Sequence, residues 1–225
     1  MRAIIVFAIL LAGFTAAFGQ NEQSPIVQKA VTYKDWTYKS ITSGEDLNLR
    51  NLTTGKELVM VVYFAPWCGN WRHDAPMLQR LYDKYKGNGL EIVAIGEYDP
   101  VDSMKNNLDF LKITFPAVYE SQARTAKDTT LHNSYRKAAG DTRSWGSPWY
   151  IFLEPAKFEK GDVLVREADL VNGELIEKEG EQFIREKLGL PPEKAGADKA
   201  GAKVSAAEVC DPAKPAVKLA KPSVQ

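Results

Sequence analysis

Residues 58–64, Leu-Val-Met-Val-Val-Tyr-Phe, are apolar at every position, with no polar alternation. That pattern predicts a strand buried on both faces. The run breaks at Ala65-Pro66. Met77, Leu78, Leu81, Tyr82 and Tyr85 then recur at spacings of three and four, which is one face of a helix running from about Gly69 to Lys86. Gly87-Asn88-Gly89 supplies a left-handed stop. Leu90–Gly96 is a second buried strand. Two such strands joined by a helix form a βαβ unit with parallel strands and a right-handed crossover.

The flanks extend this α/β pattern. Asn21 to about Lys29 is polar and reads as loosely held. Residues 31–51 mix short apolar stretches with the turn signals Ser43-Gly44-Glu45-Asp46 and Thr53-Thr54-Gly55-Lys56, which predicts a hairpin or two short strands. Asp99-Pro100 starts a helix with Met104, Leu108 and Leu111 on one side, and Phe115–Tyr119 is a short strand or edge segment. A helix covers about 131–139 and ends at Gly140. Trp145–Glu154 reads as a loop entering a strand, and Gly161–Val165 is a further strand. A helix from about Glu174 to Leu188 turns Leu175, Phe183, Ile184 and Leu188 inward. Beyond Pro191-Pro192 the chain is rich in Ala, Lys, Pro and Gly, a composition that cannot offset the entropy of ordering, so 191–225 is expected to be disordered.

The N-terminus changes the setting. Arg2, the apolar or small stretch Ala3–Phe18 and the small-x-small site Ala17-Phe18-Gly19 read as a signal peptide over 1–19. Export to a periplasm or to the exterior follows, and the membrane is a partner only if that segment stays uncleaved. Residues 20–35 are then an N-terminal extension and 36–190 the folded domain. The 225 residues carry 29 basic and 29 acidic side chains, so charge gives no argument for nucleic acid. Two cysteines exclude a disulfide-stapled mini-protein. His73 and His132 join no cysteine pair in a metal-ligand spacing, and no metal or organic cofactor is implied.

Cys68 falls on the turn between the first strand and its helix. Unpaired N–H groups and the partial positive charge of a helix start favour a thiolate, the nucleophilic form. The bland alternative is an inert buried cysteine. Arg72 lies one turn further on the same side, where it either supports the thiolate or is simply exposed. His73 reads as a surface residue.

Tyr63-Phe64-Ala65-Pro66-Trp67-Cys68-Gly69-Asn70-Trp71-Arg72 resembles the F-W-A-x-W-C-x-x-C-[RK] motif of thioredoxins, above all the exported TlpA-like thiol-disulfide oxidoreductases. The segment 46–56 resembles the lead-in of that family, Pro76 matches the proline of its active-site helix, and Trp145–Glu154 is similar to its "G-[VT]-P-x-x-F-L-[ID]" element. The resemblance covers about 36–190. It implies a thioredoxin-like three-layer α/β/α fold, with a central mixed sheet and an N-terminal strand or hairpin extension. It also implies a cis Pro148 facing Cys68, where spacing alone favours a trans proline at a strand start. Cys68 is then the exchanging thiol. Asp74 matches an acid that relays protons, or else is a solvated carboxylate. Trp67, Trp71, Ser147 and Pro148 form the substrate surface, and Trp145 and Trp149 flank the loop.

Two departures stand out. Val62 replaces the buried acid that cytoplasmic-type thioredoxins carry in this strand, and Trp71 replaces the second cysteine. Tryptophan cannot resolve a mixed disulfide, so release needs a small-molecule thiol, a second thiol on the substrate, or Cys210. About twenty residues separate Cys210 from the predicted fold, a flexible span of roughly 25 Å, which lets it serve as resolving thiol or leaves it incidental. The implied function is single-cysteine thiol-disulfide exchange, a monothiol oxidoreductase or isomerase acting on exported protein thiols and disulfides or with a small thiol reductant. The alternative is a redox-inactive binding or assembly module on the same fold. A one-cysteine peroxidase fits less well, because Ala65 stands where its pattern needs threonine.

Overall fold

The computed structural model of the chain describes residues 22–192. The expected signal segment 1–19, the expected disordered tail beyond Pro192 and Cys210 lie outside them. The elements, in order, are β1 (Gln23–Ser24), β2 (Val27–Lys34), β3 (Thr37–Ser40), β4 (Asp46–Asn48), α1 (Leu49–Leu52), β5 (Leu58–Phe64), α2 (Gly69–Tyr85), β6 (Leu90–Gly96), α3 (Val101–Leu111), β7 (Ala117–Tyr119), α4 (Leu131–Ala138), β8 (Trp149–Leu153), β9 (Val163–Val171), β10 (Glu174–Leu175) and α5 (Glu177–Lys187). Eight strands form one mixed sheet in the order β2-β9-β8-β5-β6-β7-β3-β4. β5, β6 and β7 are parallel, and β8 runs antiparallel to β5.

The unbroken apolar run is explained by two faces of packing. Leu58, Met60, Val62 and Phe64 join Trp71, Leu78 and Leu81 of α2, Met104 of α3 and Ile184 of α5. Val59, Val61 and Tyr63 point the other way, to Tyr33, Trp36 and Tyr135 of α4. Helices therefore cover both faces, and β5 is the central strand of a thioredoxin-like α/β/α fold. The predicted βαβ unit is β5-α2-β6, with Leu58 opposite Leu90 and Phe64 opposite Gly96.

Three expectations are corrected. The N-terminal segment is not loosely held over its length, because β2 pairs antiparallel with β9 from Val27–Leu170 to Lys34–Val163. Only one side of this edge strand is covered, at Val31 and Tyr33, so its polar half reads as coil. β9 is longer than predicted for the same reason, with exposed Arg166 and Glu167 inside it. The final helix starts at Glu177 rather than Glu174, because Glu174 and Leu175 pair with Gln23 and Ser24. The hairpin is present as β3 and β4, joined by a turn in which Gly44 has φ of 74°. Among the described residues no helix is long and apolar enough to cross a membrane.

Candidate active site

Cys68 is the N-cap of α2, in extended geometry with φ −74° and ψ 125°. Its N–H donates to the Ala65 carbonyl at 2.9 Å, which fixes the turn that leaves β5. Its Sγ lies 3.1 Å from the Ser147 carbonyl oxygen. The Ser147–Pro148 peptide is cis, as the family resemblance implied. Ser147 Oγ accepts the Ala65 N–H at 2.9 Å, so the strand end and the proline loop are tied together directly beside the sulfur. The helix start offers the electrostatics that favour a thiolate.

The sulfur is nevertheless buried, and Cys68 is disulfide-bonded. The expectation of an accessible thiolate therefore gives way to an oxidised site, closed between a helix start and the proline loop. The chain's other cysteine is Cys210.

Trp71 also departs from expectation. It is fully buried, its ring lies 4.5 Å from that of Phe64, and its Nε1–H donates to Asn107 Oδ1 at 2.8 Å. The position three residues into α2 faces the sheet, so the indole anchors the helix and offers no substrate surface. Trp149 is core as well, buried against Tyr63. Trp67 is partly buried and stands edge-on to Trp145, with centroids 5.3 Å apart.

Asp74 is not a solvated carboxylate. It is 1% exposed and accepts from Tyr150 Oη at 2.5 Å and from the Leu175 N–H at 3.0 Å, with His73 Nδ1 3.2 Å away. Burial raises its pKa, which the bonds from His73, Tyr150 and Leu175 only partly offset. The bond to Asp74 in turn raises the pKa of half-exposed His73. Glu174, buried close by, is pushed up to about 7 by burial and then by the Asp74 charge.

A raised acid binds its proton more tightly in the folded state, so its ionisation destabilises the fold as pH rises through the folded value. Glu174→Gln is therefore expected to leave stability unchanged below about pH 4 and to raise it by up to about 3 kcal/mol above pH 7. Urea unfolding at pH 4 and pH 8 checks this, and an equal effect at both values would refute it.

Several residues that hold the site together belong to no motif. Arg143 Nη2 donates to the Pro148 carbonyl at 3.0 Å, and its Nη1 pairs with Glu22 Oε2 at 3.1 Å. Glu22 also accepts from Asn70 Nδ2, in the first turn of α2, at 2.9 Å. Arg136, 2% exposed, pairs with Asp141 at 2.9 Å and donates to the Arg143 carbonyl. Gly146 completes the loop, with φ of 58° and no room for a side chain, since a Cβ there would lie 1.6 Å from Arg136 Nε. Arg72 turns back to the Pro66 carbonyl, its Nε donating at 3.1 Å. A run of charged and aromatic letters in 141–149 was the available hint, and it does not indicate which partners pair.

A mixed sheet between helix layers, with a cysteine capping a helix opposite a cis-proline loop, defines a thioredoxin-fold protein. The chain belongs to the AhpC/TSA family, whose family model matches residues 30–144. It is 27% identical over 123 residues to the thiol-disulfide oxidoreductase ResA of Geobacillus kaustophilus, covering 54% of this chain and 69% of that protein. It is 31% identical over 87 residues to a protein disulfide-isomerase of Drosophila melanogaster, covering 38% of this chain. The chain spans only 16% of that relative's length and 62% of the ResA of Oceanobacillus iheyensis. Its fold is similar to that of a thiol:disulfide interchange protein from Bacteroides sp., with a TM-score of 0.51 at 17% identity, covering 79% of this chain and 95% of that one.

Proposed function

We propose that this chain is an exported thiol-disulfide oxidoreductase in which Cys68 is the exchanging thiol and Cys210 the resolving one. The observation that carries the reading is the disulfide-bonded state of Cys68 at a helix cap beside the cis-proline loop, in a chain with two cysteines. The single-cysteine mechanism left substrate release to an outside thiol or to Cys210, and this state favours Cys210. Export rests on the signal-like residues 1–19. The names of the ResA relatives support the reaction class.

In the reducing direction a thiol reductant first opens the Cys68 disulfide. The Cys68 thiolate then attacks one sulfur of a substrate disulfide. A Cys68–substrate bond forms, the substrate S–S bond breaks, and the first substrate thiolate leaves and takes up a proton. Cys210, as a thiolate, attacks Cys68 Sγ and expels the second substrate thiol. Two electrons pass to the substrate and the protein returns to its disulfide. Asp74, on the helix that Cys68 caps, is the buried acid we assign to proton exchange, with Tyr150 and His73 as its hydrogen-bond partners. Trp67 and the Ser147–Pro148 backbone border the reacting sulfur.

Reduced Cys210→Ser protein, mixed with a disulfide substrate such as insulin, is expected to accumulate a mixed disulfide through Cys68. Unmutated protein should return to its own disulfide and release the substrate. Equal, negligible trapping in both, with slow alkylation of Cys68, would refute exchange and favour the binding module.

A further inference from the structure

A cavity of about 410 Å³, a size typical of small-molecule sites, is walled by residues drawn from the segment 127–144. From α4 come Asn133, Arg136 and Lys137, which share one helix face at spacings of three and four. Lys127 comes from the short helical segment 124–129 before α4, and Thr142 and Ser144 from the loop after it. Lys127, Arg136, Lys137 and Arg143 set four cations in the lining against the two carboxylates of Asp128 and Asp141. Both guanidinium groups are already committed. Arg136 Nε and Arg143 Nη2 donate to Asp141 at 2.9 and 2.8 Å, and Arg143 Nη1 donates to Glu22 at 3.1 Å. Among the described residues the two lysines, by contrast, have no ion pair. Lys127 lies over the Trp145 ring at 4.9 Å, and Lys137 is exposed. Asn133 is only 6% exposed and lines the cavity, and its side-chain amide makes no hydrogen bond among the described residues. A buried amide without a protein partner is completed from the cavity side.

We propose that this cavity takes the phosphate group of a small phosphate monoester, held by Asn133, Lys127, Lys137 and the hydroxyls of Thr142 and Ser144. A planar carboxylate is matched best by a guanidinium fork, and both forks here are occupied. Ammonium groups, an amide and hydroxyls are separate point donors, which suit the several oxygens of a tetrahedral dianion. The volume exceeds what inorganic phosphate alone fills, so the ligand carries a polar body of about the size of a sugar. Asp128 opposes the ligand's charge and holds the affinity down. Binding here needs no exchange at Cys68, so the site and the proposed reaction stand or fall separately.

The test is calorimetric titration of the oxidised full chain, at low salt, with ribose 5-phosphate, inorganic phosphate and malate. Ribose 5-phosphate is expected to bind at one site with a Kd of about 1 mM or tighter. Inorganic phosphate and malate should each bind about tenfold more weakly, the first for want of a body and the second for want of a guanidinium fork. Lys137→Glu should weaken the sugar phosphate about tenfold, Lys137→Arg should keep most of the affinity, and Asp128→Asn should tighten it about threefold. Lys137 and Asp128 are exposed, so these changes leave the fold in place. Asn133→Leu, of similar volume, should also cost about tenfold in affinity, with urea unfolding as the check that the variant folds. Absence of saturable binding below about 10 mM, or full affinity in Lys137→Glu, overturns the site. Malate binding as tightly as the sugar phosphate overturns the choice of phosphate, and inorganic phosphate binding as tightly overturns the ester.

Discussion

Cys68→Ser is expected to reduce thiol-disulfide exchange to the uncatalysed rate, a loss of about a thousandfold or more, since the reaction loses both its nucleophile and the positioning that a bound site provides. No described residue substitutes for it. Trp71, where a second thiol would stand, is closed into the core and bonded to Asn107. The fold should survive the change. A serine hydroxyl at the cap can donate to the Ser147 carbonyl, which the disulfide sulfur only approaches, and serine is a good N-cap residue. Insulin reduction followed by turbidity, beside urea unfolding under reducing conditions, separates the two effects. Residual exchange within about tenfold of the unmutated protein would place the chemistry elsewhere.

The second large effect is on stability. Arg136→Ala is expected to cost about 3 kcal/mol, because it removes one side of a buried ion pair and empties the space behind the proline loop. Burial pushes the Asp141 pKa up, yet bonds from Arg143 and Arg136 outweigh it and hold the carboxyl at about 2. A depressed carboxylate contributes stability above its unfolded value, and that contribution is lost as pH falls toward 2. The gap between unmutated and Arg136→Ala protein should therefore be full at pH 7 and shrink between about pH 4 and pH 2. Arg136→Lys should recover little, because an ammonium cannot bond Asp141 and the Arg143 carbonyl as a planar fork does. Denaturant unfolding at pH 7 and pH 3 measures this, and a gap below about 1 kcal/mol at pH 7 would show that Arg143 alone carries Asp141.

Legibility in the sequence followed burial. β5 and β6 begin and end where the pattern places them, because a strand covered on both faces leaves no polar position to blur its limits. β2 was hidden because an edge strand shows its apolar residues on one side and lysines on the other. At the site, Cys68 and Pro148 were legible through local motifs. Tyr150 and Leu175 meet Asp74 from 76 and 101 residues away, a distance no local pattern encodes. Trp71 misled because a residue in a motif reads as functional while its helix position sends it inward. Arg136 and Asp141 drew no reading at all, since nothing local marks a charged pair that is buried under one loop.

The two ends of the main sheet carry a consequence for the proposed exchange with other chains. At one end β4 is three residues long, and at the other β2 has shifts in register and exposed Lys29 and Lys34. A partly unfolded client with free backbone groups seeks a straight, apolar rim on which to stack. Neither rim offers one. On the proposed function, contact with such clients is thereby denied a template for strand addition at either rim.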